Sequence, residues 1–206
     1  IISWKKNKIS KNWINKQKRD IYVRRSKIEG YRSRAAYKLI EIDEKFKIFK
    51  NGNLVIDLGA APGSWSQYLS KNIKSGKIVS IDLKKMESID RVYQIQGDFT
   101  DAKNQSKIKD LFQSKADVVL SDMAVNTTGI KNIDSIYTGE LCMEAMLFAE
   151  KILSNNGQFI SKIFMGPTFN EIILKAKSIF KVIKVYKPRS SRKGSKESFI
   201  ICKNLR

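Results

Sequence analysis

The sequence lacks histidine altogether and has only two cysteines, three prolines and no long apolar run. Without histidine no Ser-His-Asp or Cys-His system can form, so a general base must be a carboxylate, a lysine, a tyrosine or water. A zinc site would need Cys142, Cys202 and carboxylates, and we predict no metal site. Two separated cysteines form no disulfide framework, and no run approaches the ~18 apolar residues of a membrane span. These absences favour a cytoplasmic protein without membrane contact.

What the chain does have is a core-forming composition and a large excess of positive charge. Its 206 residues are 42% apolar, which is enough for one folded domain. Residues 1–38 hold 13 Lys or Arg against 2 acids and residues 181–206 hold 9 against 1, whereas the stretch between them holds 18 against 17. Four aromatic residues lie among the N-terminal basic ones: Trp4, Trp13, Tyr22 and Tyr31. This mixture predicts a nucleic-acid partner, with solvated tails as the alternative.

Short apolar runs alternate with helical periodicity through the centre of the chain. Strands are predicted at 53–58, 77–83, 92–96, 117–121, 158–164, 180–186 and 198–202. Helices are predicted at 33–46 with Ser33 as N-cap, 64–72, 108–113, 135–153 and 170–179, and a short helix or arm at 11–25. This alternation predicts an α/β fold with a mostly parallel seven-stranded sheet, helices on both faces and ligands at the carboxyl ends of the strands. The last two strands leave no room for a helix, so they should form an antiparallel hairpin, as in the Rossmann-like class I methyltransferase sheet.

The most informative segment runs from Val55 to Ser66 and reads Val-Ile-Asp-Leu-Gly-Ala-Ala-Pro-Gly-Ser-Trp-Ser. Its glycines, Gly59 and Gly63, are not spaced as in the G-x-G-x-x-G of dinucleotide enzymes, which disfavours a nicotinamide oxidoreductase. Small residues let the backbone approach a ligand, and the next helix offers N-terminal amides to a carboxylate. A carboxylate-bearing nucleoside such as S-adenosylmethionine suits this turn, with glycine needed for packing alone as the alternative.

Charged residues follow or interrupt the predicted strands. Asp82 closes the second strand, where an acid can accept from ribose hydroxyls, and Asp98 follows the third, where it can accept from an adenine amino group. Taken singly, an acid after a strand is commonly a turn residue or a helix cap. Asp122 follows the fourth strand, and Lys162 interrupts the apolar fifth strand, where a charge is costly unless it is paired. A lysine that reaches solvent at the strand end is the alternative.

Together these segments resemble the RrmJ/FtsJ family of ribosomal RNA 2'-O-ribose methyltransferases. The resemblance covers essentially the whole chain and rests on residues 32–39, 55–68, 120–124, 161–164 and 187–192, followed by Glu197. It implies a catalytic tetrad of Lys38, Asp122, Lys162 and Glu197. It also implies methyl-donor contacts at Gly63, Trp65, Asp82, Asp98 and Asp122. Two positions depart from the family pattern, with Ser64 in place of the usual Gly and Val125 in place of the usual Pro.

The function implied by this resemblance is S-adenosylmethionine-dependent 2'-O-methylation of 23S ribosomal RNA, at an A-loop uridine of the assembled large ribosomal subunit. Because a base must abstract the hydroxyl proton, we assign Lys162 to this role by hypothesis, with Lys38 lowering its proton affinity and Asp122 orienting it. Since the tetrad joins the two basic ends, we predict one RNA cradle around the target ribose. Its phosphate contacts are expected from Lys16, Lys18, Arg19, Arg32, Arg34, Arg189, Arg192 and Lys193.

The predicted organisation is a basic N-terminal arm over residues 1–30 and one catalytic domain over residues 31–206, acting as a monomer. Within the enzyme class, the alternative is a 2'-O-methyltransferase that acts on transfer RNA or an mRNA cap. From another class, the alternative is a ribosome-assembly factor that binds RNA without chemistry. The intact tetrad argues against this last interpretation.

Overall fold

Strands and helices alternate along the chain. The computed structural model describes residues 20–124 and 131–206. Its strands are β1 (Leu54–Leu58), β2 (Lys77–Asp82), β3 (Val92–Gln96), β4 (Ala116–Ser121), β5 (Leu153–Phe164), β6 (Phe180–Tyr186) and β7 (Glu197–Leu205). Its helices are α1 (Ile21–Ile28), α2 (Ala36–Phe46), α3 (Ser64–Asn72), α4 (Ala102–Phe112), α5 (Lys131–Ile152) and α6 (Phe169–Ile179). None of these helices is long and apolar enough to cross a membrane.

The described strands form one seven-stranded sheet in the order β3-β2-β1-β4-β5-β7-β6. The first five pair in parallel, whereas β7 is antiparallel to both β5 and β6. The predicted mostly parallel sheet with a terminal antiparallel hairpin is confirmed. Because β7 runs against β5, its first residue, Glu197, pairs with Phe164, the last residue of β5. Glu197 is therefore delivered to the edge of the sheet at which the parallel strands end.

Both faces of the sheet are covered, so successive strand residues are buried on opposite sides. Ile56 joins an apolar cluster that includes Met146 of α5, whereas its neighbour Val55 joins a second cluster with Leu39 of α2 and Leu69 of α3. Strands buried on both faces read as continuous apolar runs. This explains why the central strands could be predicted from the sequence.

Two predicted helix starts differ from the structure because hydrogen bonds of polar residues decide them. Ser33 is not the N-cap of α2, which begins three residues later; its hydroxyl accepts from the Ala35 amide at 3.2 Å within the preceding turn. Helix α4 begins six residues before its predicted start, because the Asp101 carboxylate accepts from the Lys103 amide and caps the helix there. Hydrogen bonds of this kind are not visible in the apolar periodicity from which the helices were predicted.

The junction of α5 and β5 also differs from the prediction. The helix ends at Ile152 and the strand begins at Leu153, five residues before its predicted start. Leu153 already pairs with Ala116 of β4, before a shift in register restores regular pairing at Val118. Pairing with β4 therefore extends the strand through a polar stretch that shows no strand alternation.

The segment predicted as an N-terminal arm lies only partly within the described residues. Lys16, Lys18 and Arg19 fall outside them. From residue 20 onward, the segment packs on the domain: the ring of Tyr22 lies 5.4 Å from that of Tyr37, and Asp20 pairs with Arg34. Helix α1 is therefore docked against α2.

Candidate active site

Four charged side chains converge at the carboxyl ends of β4 and β5, and they are the predicted tetrad. Lys38 comes from α2, Asp122 follows β4, Lys162 lies in β5 and Glu197 opens β7. The Nζ atom of Lys38 lies 2.8 Å from Glu197 Oε2 and 3.5 Å from Asp122 Oδ2. The Nζ atom of Lys162 lies 2.7 Å from Asp122 Oδ1 and 3.9 Å from Glu197 Oε2. Lysine amines and carboxylates thus alternate in a closed ring.

The ring is nearly buried, so its charges are held by one another. The four side chains are between 9% and 17% exposed. Burial favours the neutral amine of Lys38, but the carboxylates of Asp122 and Glu197 outweigh it and raise the Lys38 pKa. Burial likewise opposes ionisation of Asp122, yet Lys162 and Lys38 hold the pKa of its carboxyl below the ordinary value. Lys38 is therefore an ammonium and Asp122 a carboxylate at neutral pH.

Neighbouring groups fix the orientation of the ring. Lys162 Nζ donates to the carbonyl oxygen of Asp122 at 2.7 Å, while its contact with the Asp122 carboxylate is an ion pair without hydrogen-bond alignment. On the other side, the Ser191 hydroxyl donates to Glu197 Oε1 at 2.8 Å. Lys162 is thus paired inside the protein, and the alternative of a lysine that reaches solvent is wrong.

A cavity of about 520 Å³ opens beside Asp122 and is wide enough for a nucleoside. Its walls come from the turn after β1 and from the ends of β2, β3 and β4, and they include Asp82, Asp98 and Met123. Gly59, at φ +68°, forms part of the wall; a Cβ atom there would lie 2.1 Å from Met123 Cγ. Glycine is therefore required for the turn and Met123 to approach each other.

The two other predicted donor acids both keep acceptor capacity toward the cavity. Asp82 accepts from the Ala61 amide at 2.9 Å and from the Lys84 amide at 2.8 Å, which fixes its carboxylate at the end of β2. Asp98 Oδ1 accepts from the amide and the hydroxyl of Thr100, and no described residue donates to its Oδ2. Each carboxylate oxygen can accept two hydrogen bonds. The donor set therefore fits a ligand with hydroxyl and amino groups, as S-adenosylmethionine has.

Gly63 and Trp65 do not line this cavity. Gly63 begins α3 at φ +105°, where a Cβ atom would lie 2.8 Å from a nitrogen of Arg32. The Trp65 side chain is 2% exposed, donates to the Ala35 carbonyl at 2.8 Å and packs against Phe199. The indole of Trp65 therefore holds α2, α3 and β7 together. If Gly63 and Trp65 contact a methyl donor, they do so through backbone atoms. Their predicted donor contacts stay predictions.

A second cavity of about 230 Å³ lies on the Lys38 side of the ring. Its lining residues are Ser33, Arg34, Ala35, Lys38, Arg192, Ser195 and Glu197. We call it the acceptor cleft. Because Asp122 lines the larger cavity while Lys38 and Glu197 line the cleft, the tetrad lies between the two spaces. This arrangement allows two reactants to meet at the ring.

Arg32 was predicted to contact RNA phosphates, and the structure gives it another role. Its guanidinium donates to the carbonyl oxygens of Pro62, Glu87 and Ser88 at 3.0, 2.9 and 3.0 Å. The side chain thereby ties the loop after β2 to the turn that ends β1. Three of the five N–H donors of the guanidinium are engaged in this way, and contact of Arg32 with a phosphate stays a prediction.

Arg34 likewise makes contacts inside the protein, and its contact with a phosphate stays a prediction. Its guanidinium pairs with the Asp20 carboxylate and donates to the Ser190 carbonyl oxygen, so it joins α1, α2 and the loop before β7. Arg189 and Lys193 are exposed, and Arg192 is partly exposed at the mouth of the acceptor cleft. For these three residues, phosphate contact stays a prediction.

A family model of FtsJ-like methyltransferases matches residues 31–205. The chain belongs to the FtsJ-like methyltransferase family. It is 71% identical over 202 residues to the ribosomal RNA large subunit methyltransferase E of Pelagibacter ubique, covering 98% of this chain and 100% of that one. The Rickettsia bellii protein of the same name is 48% identical over 208 residues, with 98% and 92% covered. A crystal structure of a Plasmodium falciparum ribosomal RNA methyltransferase has a TM-score of 0.76 and 35% identity, covering 85% of this chain and 98% of that one.

Sequence reasoning missed two supports of this FtsJ-like methyltransferase site. Ser191, which fixes Glu197, lies in a segment that attracted attention only for its positive charge. Behind the glycine turn, the buried carboxylate of Asp57 accepts from the Ser66 hydroxyl at 2.6 Å, and Ser66 also lies 2.6 Å from the Ser80 hydroxyl. Burial raises the pKa of Asp57 to about 7. The serine spacing that assembles this cluster has no periodic signature.

The two departures from the family pattern have different outcomes. The Ser64 hydroxyl is buried 2.8 Å from the hydroxyl of Ser33, so it bridges the start of α3 to the turn before α2. It faces neighbouring protein groups and is not among the residues that line the larger cavity. Val125 lies outside the described residues.

Proposed function

We propose that this chain transfers a methyl group from S-adenosylmethionine to the 2'-hydroxyl of a ribose in large-subunit ribosomal RNA. The observation that carries the proposal is the closed ring of two lysines and two carboxylates between the nucleoside-sized cavity and the acceptor cleft. The family supports methyl transfer, and the names of the two bacterial relatives support the RNA substrate.

The residues around the larger cavity have complementary tasks in this proposal. Asp82 accepts the ribose hydroxyls of the methyl donor, and Asp98 accepts from its adenine amino group. S-adenosylmethionine, when bound, supplies an electrophilic methyl group on a sulfonium. Asp122 lies at the boundary between the two cavities, so its carboxylate positions Lys162 where the acceptor hydroxyl meets the methyl group.

The two lysines differ in their suitability as a base. Lys38 is held as an ammonium by Asp122 and Glu197, so it can donate to the acceptor hydroxyl but cannot remove its proton. We assign proton removal to Nζ of Lys162. Its Nζ lies 2.7 Å from Asp122 Oδ1, and Asp122 lines the larger cavity, so Lys162 lies beside the place where the two reactants would meet. Proton transfer to Nζ of Lys162 accompanies formation of the new O–C bond and cleavage of the methyl–sulfur bond, which leaves a methyl ether on the ribose and a neutral thioether as the leaving group.

A methyl-transfer assay on large subunits that lack the modification tests the function. With radiolabelled donor, the wild-type chain should label ribosomal RNA, and mapping should place the label on a ribose. Lys162→Ala should lose this activity by about 10²–10⁴-fold while calorimetry still detects donor binding. Lys184→Ala, at an exposed position on β6, is the matched control. Base methylation by the wild type would overturn the function, and full turnover by Lys162→Ala would overturn the assignment of the base.

The finer proposal is that the target is a uridine of the A-loop on the assembled subunit, and that the chain acts as a monomer in the cytoplasm. Assays with naked ribosomal RNA, transfer RNA and capped RNA, run beside assembled subunits, separate these substrates. Preferred methylation of transfer RNA or capped RNA would favour the alternative enzyme. Sedimentation of the active protein gives its oligomeric state.

A further inference from the structure

A third cavity, of about 470 Å³, lies outside the tetrad and the two spaces beside it. It is bounded by α1, by α2 and by the end of β6 with the loop that follows. We call it the tyrosine groove and define it by Tyr22, Tyr37, Tyr186, Arg25, Lys45 and Arg189. Its volume is within the range of sites that hold one nucleoside.

The tyrosine groove follows the same helix that supplies Lys38. Residues three and seven positions along α2, Glu41 and Lys45, lie on the helix face that carries Lys38 and line the groove. At a rise of about 1.5 Å per residue, Lys45 is ~10 Å further along the axis. The Glu41 carboxylate accepts the amides of Arg189 and Ser190 at 2.6 and 2.8 Å, which fixes the outer wall against the helix. The groove is thus a built continuation of the acceptor cleft.

The lining combines aromatic faces and cations with the carboxylates of Glu41 and Glu44. Tyr22 and Tyr186 are partly exposed, and Tyr37 forms a buried floor. Lys45 Nζ lies 4.3 Å from the Tyr186 ring centre, and the Arg25 guanidinium lies 4.8 Å from that of Tyr37. Aromatic faces beside flexible cations are what an unpaired nucleotide needs, because its base stacks and its phosphate is neutralised.

Arg34 connects this groove to the reaction site. Its guanidinium lies 5.5 Å from the Tyr22 ring centre, and the same side chain lines the acceptor cleft beside Lys38. The acceptor cleft and the tyrosine groove are therefore joined along Arg34. The exposed side chain of Arg189 lines the groove.

We propose that the tyrosine groove binds an unpaired RNA nucleotide that neighbours the target ribose. Its base stacks on Tyr22 or Tyr186, and its phosphate contacts Arg189. This inference rests on the proposed function, because the nucleotide in the groove belongs to the same RNA as the target ribose. Its binding determines which ribose of that RNA reaches the tetrad. It makes the groove a specificity-determining surface that acts through substrate binding and leaves donor binding unaffected.

The test is the steady-state kinetics of methylation on large subunits that lack the modification. Tyr22→Leu, Tyr186→Leu and Arg189→Ala should each raise KM for the subunit about tenfold, with kcat and the donor Kd within about twofold of wild type. Tyr93→Leu is the matched control, because Tyr93 is 51% exposed on β3 at the opposite edge of the sheet. Unchanged KM in all three groove variants would overturn the proposal.

Two further measurements keep the test decisive. Arg189→Ala removes an exposed side chain and keeps its anchoring amide, so it reports on the groove even if a tyrosine variant fails to fold. Photocrosslinking of subunits whose RNA contains 4-thiouridine should link RNA to peptides of this chain with Tyr22 or Tyr186, and links to this chain at other peptides only would overturn the proposal. Absence of ribose methylation by the wild type defeats the proposed function itself, whereas normal methylation with unaffected groove variants defeats only this inference.

Discussion

The buried carboxyl of Asp57 makes the stability of this protein depend on pH. Asp57 is 1% exposed, and burial raises the pKa of its carboxyl from 3.8 to about 7. The hydrogen bond from Ser66 opposes this rise, whereas the charges of Asp122 and Asp82 add to it. In the unfolded chain the carboxyl titrates at its ordinary value. Between the two values, the folded state holds the proton and the unfolded state has lost it. Stability contributed by this group is therefore present at low pH and is lost as pH rises through about 7.

The magnitude follows from the two pKa values. Their difference corresponds to ~4 kcal/mol of stability at full ionisation, and more than half of this, about 2.5 kcal/mol, falls between pH 5 and pH 8. Asp57→Asn removes the titration while it keeps an oxygen that accepts from the Ser66 hydroxyl. The variant should therefore gain stability relative to wild type as pH rises across this range.

Urea unfolding of both proteins at pH 5, 6, 7 and 8 measures the effect. From pH 5 to pH 8, the unfolding free energy of Asp57→Asn should rise by about 2.5 kcal/mol relative to that of wild type. Titrations of the other groups are common to both proteins and cancel in this difference. Asp110→Asn, at an exposed position on α4, is the control and should show no such trend. A difference for Asp57→Asn that stays constant from pH 5 to pH 8 would refute the reasoning.

Three other experiments test the site and the residues that support it. In a double-mutant cycle measured by urea unfolding, Lys38→Met and Glu197→Gln should each cost about 3 kcal/mol and together much less than their sum, because each change strands the other charge; additive costs would contradict the pairing. Gly59→Ala should weaken S-adenosylmethionine binding at least ~10-fold in calorimetry, since the new Cβ meets Met123 at φ +68°; unchanged affinity would exclude this steric role. Arg34→Lys should lower both the Tm and the rate of ribose methylation, because one ammonium cannot make both contacts of the guanidinium; an unaltered Tm would contradict that role.

Elements whose limits coincide with apolar runs were predictable residue by residue. The limits of α3, β3 and β6 agree with the prediction, because turn residues or a change of periodicity bound them. The first turns of α4 carry almost only polar residues, so their helical state depends on the Asp101 cap. The polar beginning of β5 depends on pairing with β4. Neither cause leaves a periodic signal.

The same distinction applies to the site. The four tetrad residues were predictable from family resemblance, and the ends of the strands explain why they meet. The roles of Arg32 and Arg34 were not, because positive charge in a sequence does not reveal the acceptors around it. The carbonyl of Glu87 that engages Arg32 is 55 residues away, and that of Ser190 that engages Arg34 is 156 residues away. Such pairings are decided by tertiary packing alone.

The position of β7 between β5 and β6 separates the carboxylate that β7 adds to the tetrad from the carboxylates that line the larger cavity. Asp82 and Asp98 belong to the β2 and β3 end of the sheet, whereas Glu197 arrives on an antiparallel strand near the other end. Local unfolding that releases β6 and β7 would remove Glu197 from the ring and leave both aspartates in place. Such an opened molecule would lack one carboxylate of the ring and keep the walls of the larger cavity that β2 and β3 supply, and native-state hydrogen exchange is the measurement that would detect it.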